Sequence, residues 1–128
     1  MVKRYDIDGV NSPGGRYSHV GEIGPNARLF HLAGQTGVAA DGTIGAGTEE
    51  QCRIVYDNIK AVLAGCGLGV ENIAKLTVFL TDPRDIEIWR PIQKDALGEV
   101  VPASTLLIVS HLARPEFKVE VEVVAAAD

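Results

Sequence analysis

The chain offers few side chains whose type and spacing could do chemistry by themselves. His19, His31 and His111 are scattered over predicted strands, with no His-x-x-x-His pair that a helix would bring to one face. Cys52 and Cys66 lack the C-x-x-C or Cys/His spacing of a zinc site, so they read as reduced core thiols on a helix. Gly42-x-x-x-x-Gly47-Thr48 has the outline of a phosphate loop, but Thr48 stands where lysine is required and no strand directly precedes it. It reads as a turn. Gly65, Gly67 and Gly69 follow a helix instead of linking strand to helix, which excludes a dinucleotide fingerprint. No Gly-x-Ser-x-Gly marks a serine nucleophile elbow. Metal, phosphate-loop and serine-nucleophile chemistry are therefore all without support.

The elements that must position any site are clearer. Tyr17 to Ile23 and Arg28 to Val38 alternate loosely around Gly24-Pro25-Asn26, which predicts a hairpin. Thr48 with Gln51 three residues later makes a capping box that opens a helix. Cys52, Val55, Ile59, Val62, Leu63 and Cys66 form its apolar stripe, and the following glycines end it. Lys75 to Thr81 reads as a buried strand. Asp82-Pro83 then caps a second helix through Ile86, Trp89 and Ile92 towards Leu97. Pro91 inside that helix predicts a kink or break, because proline cannot donate to the Glu87 carbonyl. Thr105 to Ser110 and Phe117 to Ala125 close the chain as strands joined by a turn around Ala113 to Glu116. On the last strand Phe117, Val119, Val121 and Val123 share one face, and Lys118, Glu120 and Glu122 the other. The order predicts a single α+β domain over residues 1–128, with helices on one face of a mixed sheet.

Composition agrees with one packed domain. Hydrophobic residues make up 46% of the 128 and aromatics only 5%, so the core must be aliphatic. The formal net charge of −5 opposes nucleic-acid binding, which favours domains with a pI above about 9 and clustered Lys/Arg. No apolar run approaches the roughly 18 residues of a membrane span, and Met1 to Val10 lacks a signal peptide's apolar stretch. A cytoplasmic location is expected.

Several segments taken together resemble the Rid family, also called YjgF or "endoribonuclease L-PSP", of enamine/imine deaminases and their relatives. They are Ala33-Gly34-Gln35-Thr36-Gly37-Val38, the helix from Gln51 through Tyr56-Asp57-Asn58-Ile59-Lys60, and Lys75 to Asp82. Pro102-Ala103-Ser104 and Lys118 to Val123 complete the set, in order, from about Tyr17 to Ala125. The resemblance implies a chorismate-mutase-like homotrimer with ligand clefts between subunits, a small anionic metabolite as ligand, and no metal or cofactor.

Position by position, the resemblance places Tyr17 on the family's site tyrosine, in a loop just after Gly14-Gly15, where site residues concentrate. Gly34 falls on the strand glycine lining the cleft, Ala33 on the serine before it, and Glu120 on the acid near the hydrolytic water. Ser104 stands where active deaminases carry an arginine that grips the substrate carboxylate, and a hydroxyl cannot replace that charged fork. The nearby family cysteine is replaced by Leu106 or Leu107. Arg90 aligns with a cleft asparagine. Two readings of Arg90 are open: it holds the anion that the missing arginine would hold, or it is a surface arginine paired with Glu87 or Asp85. Glu120 likewise reads either as a site acid or as one member of a solvent-facing alternation.

Overall fold

The computed structural model describes residues 1–128. Four strands form the main sheet in the order β3 (Arg28–Thr36), β6 (Val119–Ala127), β4 (Ile73–Leu80), β5 (Ala103–Ile108). Only β4 and β5 run parallel, so α2 (Ile86–Leu97) is the crossover that a parallel pair requires. A separate two-stranded sheet joins β1 (Val2–Tyr5) to β2 (Val20–Ile23). The predicted α+β class and mixed sheet hold.

The core follows from the period-two pattern of the central strands. Leu76, Val78 and Leu80 of β4 and Val119, Val121 and Val123 of β6 are almost completely enclosed. They pack against α2 and against Cys52, Val55, Ile59 and Leu63 of α1 (Thr48–Gly65), as the helical spacing predicts. Burying each such aliphatic side chain stabilises the fold by roughly 1.5–3 kcal/mol before entropy is counted. Val62 and Cys66 are exposed and so fall outside the predicted stripe; Cys66 lies just past the helix end. The Cys52 thiol is the buried one, and burial, with Asp85 nearby, pushes its pKa up to about 12.

Three local expectations are corrected. The hairpin around Gly24 to Asn26 does not form: β2 pairs with β1, and β3 pairs with β6. Sequential strands need not be partners, and the nine-residue β3 forms the sheet edge along the full length of the nine-residue β6. The Thr48/Gln51 capping box is also absent. Thr48 Oγ1 instead donates to Asp85 across 2.7 Å, tying the start of α1 to the start of α2. Gln51 is buried and satisfies its amide through the Gly45 and Glu116 carbonyls and the Lys118 N–H. Gly37 leaves room for it, since a Cβ there would lie 2.4 Å from Gln51 Cγ. Tertiary bonds thus outcompete the local cap. Lastly, α2 continues unbroken through Pro91. Pro91 and Glu87 both face solvent, where water can take the carbonyl that proline leaves free.

Candidate functional site

At the β5 edge, α2 and the loop before β2 enclose a cavity of about 630 Å³. Tyr17, Arg90 and Ser104 all line it. The loop is pinned beside β5 from both sides. Ser18 donates its N–H to the Pro102 carbonyl at 3.1 Å and its hydroxyl to Val101 at 2.6 Å. Gly14 and Gly15 turn the chain at φ of 63° and 77°, a region where other residues are strained. His19 completes the anchor. Its Nδ1 accepts from the Ile7 N–H, so Nε2 carries the proton and donates to the Asn11 carbonyl at 2.9 Å. The histidine is a latch, not a ligand. No three His, Cys, Asp or Glu side chains converge as metal ligands would.

Arg90 pairs with neither Glu87 nor Asp85. Its Nε is enclosed without a partner, and its guanidinium lies 5.9 Å from the centre of the Trp89 ring. A guanidinium so placed is weakly hydrated and available to an anion. Arg16 and Lys94 also line the cavity, and no carboxylate does, so a chain of net charge −5 carries a positive recess here. Trp89, Gln93, Lys94 and Arg16 were missed by sequence reasoning. The signal for Gln93 is its place four residues after Trp89, on the same helix face.

Glu120 and Gly34 lie on the other side of the sheet. Ser104 is paired with the core-facing Leu76, whereas Glu120 is paired with Phe79, one step out of phase with the core. Gly34 sits at the irregularity between Leu32 and Gln35 in the β3–β6 ladder. A Cβ on Gly34 would lie 2.0 Å from Glu120 Oε2, so the glycine is what lets the carboxylate rest against the strand. Partial burial, reinforced by Glu122, raises the Glu120 pKa above the ordinary carboxylate value. Ala33 is exposed beside them. The expected site residues therefore fall into two separate groups in one chain: Tyr17, Arg90 and Ser104 in the cavity, Gly34, Ala33 and Glu120 across the sheet.

The sequence profile of the family described as "Endoribonuclease L-PSP" matches residues 10–127. The chain belongs to this family. As a Rid/YjgF/L-PSP protein it is 32% identical over 118 residues to mmf2 of Schizosaccharomyces pombe, covering 90% of each chain. It is 34% identical over 116 residues to a RutC family protein of Aquifex aeolicus, covering 88% of this chain and 90% of that one. TdcF of Escherichia coli, described as a candidate reactive intermediate deaminase, is 29% identical over 123 residues, covering 93% and 94% of the two chains. The Rid fold itself is shared with YyfB of Yersinia pestis at a TM-score of 0.88 and 23% identity, covering 98% of both chains. The crystal structure of TdcF with bound serine aligns at 0.75 and 26% identity, covering 100% of this chain and 98% of that one. No helix of the chain is long and apolar enough to cross a membrane.

Proposed function

We propose that the protein hydrolyses a reactive enamine/imine to a carbonyl compound and ammonia, in a cleft completed by a neighbouring subunit of a homotrimer. The observation that carries this reading is the positive cavity of Tyr17, Arg90 and Ser104 in a chain of this family. An enamine that has tautomerised to its imine is already electrophilic, so the protein need only bind the anion and manage protons. Arg90 holds the substrate anion in place of the arginine that Ser104 lacks, and Tyr17 donates to it. A Glu120 carboxylate from the adjacent subunit takes a proton from water as its oxygen bonds to the C=N carbon. The same carboxyl returns the proton to nitrogen, giving a carbinolamine. It then takes the carbinolamine hydroxyl proton and passes it to nitrogen as the C=O bond forms and the C–N bond breaks, so that ammonia leaves. The raised Glu120 pKa suits a group that must both accept and return a proton. No metal or cofactor enters this chemistry.

Ser104 favours a second reading, in which the cavity binds a small carboxylated metabolite without turnover. Ammonia release from a freshly generated 2-iminoacid, measured against a buffer blank, separates the two. Release above the blank that falls at least about tenfold in Arg90→Ala supports the deaminase. A rate equal to the blank across several amino-acid precursors overturns it and leaves the binding protein. The endoribonuclease label fits least, because a net charge of −5 opposes RNA. Sedimentation at a mass three times that of the chain is the expected assembly, and a monomer would leave Glu120 apart from the cavity.

A further inference from the structure

Hydrolysis as set out above leaves one buried group of the cavity without a task. Trp89 Nε1 can only donate, and it donates to Tyr56 Oη at 2.7 Å. The Tyr56 proton is thereby directed onward to Gln93 Oε1, at 2.5 Å. With its oxygen turned to Tyr56, the Gln93 amide must present its NH2 the other way. Gln93 is only 7% exposed and lines the cavity, and its one side-chain hydrogen bond is the one through Oε1. Two N–H donors are thus held in the cavity wall with no partner in the chain, by a relay that fixes their direction. In the free cavity these donors are open to water. A ligand that covers them without accepting leaves them unpaired, which is costly, so the wall discriminates against ligands lacking an acceptor there.

The rest of the lining limits what that ligand is. Ile86, Leu97, Val100 and Leu106 make much of the wall apolar, and Arg16, Arg90 and Lys94 supply positive charge with no carboxylate of the same chain in the lining. The volume of about 630 Å³ lies in the range of sites that enclose ligands far larger than a three-carbon acid. We infer that the cavity selects an anion carrying an apolar body of aromatic-ring size and a second, uncharged acceptor oxygen, which takes a hydrogen bond from the Gln93 amide. Arg90, with Lys94 and Arg16, holds the charge; the aliphatic wall holds the body. The inference rests on the proposal that this cavity is the anion site, but not on turnover.

Calorimetric titration with propionate, 3-phenylpropionate and 3-(4-hydroxyphenyl)propionate tests it on the unmodified protein. Affinity should rise about tenfold with the ring and several-fold again with the hydroxyl. In Gln93→Leu the preference for the hydroxyl should vanish while 3-phenylpropionate still binds. In Tyr56→Phe, which frees the amide to rotate, the preference should shrink. Equal affinity for the three acids, lost in Arg90→Ala, would overturn the ring and Gln93 assignments while leaving the anion site intact. A hydroxyl preference that survives Gln93→Leu would overturn the Gln93 assignment. Absence of binding by all three acids would overturn both this inference and the anion site. Ammonia release bears on turnover alone and so fails or succeeds separately.

Discussion

On β4, Leu76, Val78 and Leu80 are sealed beneath the helices, whereas Lys75, Thr77 and Phe79, one residue out of step, remain half-exposed. The same alternation on β6 buries Val119, Val121 and Val123 and leaves Glu120 and Glu122 on the outer side. The two faces share a backbone and differ only in the parity of each residue. The covered face is aliphatic, and its polar groups, such as Tyr56 and Gln51, are bonded within the chain. The uncovered face carries an acid with a raised pKa, a lysine bonded to Thr105, and apolar Phe79 and Leu107 beside them. Stability is concentrated on one side, so the other side and the sheet edge are free to carry chemistry.

The sharpest way to break this comparison is to mutate neighbours of opposite parity. Leu76→Ala opens a cavity in a fully buried site and should cost about 2–5 kcal/mol, read from denaturant unfolding. Thr77→Ala, the next residue, should change stability by under about 1 kcal/mol. Comparable losses at both would mean that the faces are not energetically distinct.

Gly34→Ala tests the role proposed for Glu120 on the outer face. The new methyl overlaps Glu120 Oε2, and the carboxylate must swing away from the strand. Stability should move little, since the clash is with the end of a flexible side chain. Turnover should fall by on the order of 10²-fold, as displacing a catalytic group by an ångström does. Unchanged ammonia release would remove Glu120 from the mechanism.

The smallest effect concerns pH. Glu120 has a folded pKa above its unfolded value, from burial first and Glu122 second. Its contribution to stability is therefore fully present below the ordinary carboxylate value and is lost as pH rises through the folded one. Glu120→Gln removes that dependence. The variant should match the parent in acid and be slightly more stable at neutral pH, by no more than about 0.5 kcal/mol. A variant less stable than the parent at neutral pH would show that the ionised carboxylate is held by favourable contacts.

Much of this was legible in the sequence. Period-two alternation in Lys75 to Thr81 and Phe117 to Ala125 marks the central strands, and the three- and four-residue spacing from Cys52 to Leu63 marks α1, because burial on one face demands those periods. Resemblance supplied Tyr17, Gly34, Glu120, Arg90 and Ser104 as candidates. Partnership was not legible. Gln51 reads locally as a helix cap and is a buried cross-link; His19 reads as a strand residue and latches the loop beside the cavity; β2 pairs with β1 and not with its sequence neighbour. These depend on which distant groups arrive within hydrogen-bond reach, and no local pattern encodes that.

The sequence by itself determined the faces: which side chains each strand and helix must bury, since that follows from backbone periodicity and the transfer of apolar surface from water. Only the tertiary structure decided that Tyr17, Arg90 and Ser104 share a cavity while Glu120 and Gly34 stand behind the sheet. It alone decided, too, that Tyr56 turns the Gln93 amide towards open space. The physical reason is range. Hydrophobic patterning acts along the chain, whereas a hydrogen bond needs a partner within about 3 Å, and only folding brings residues 37 positions apart to that distance.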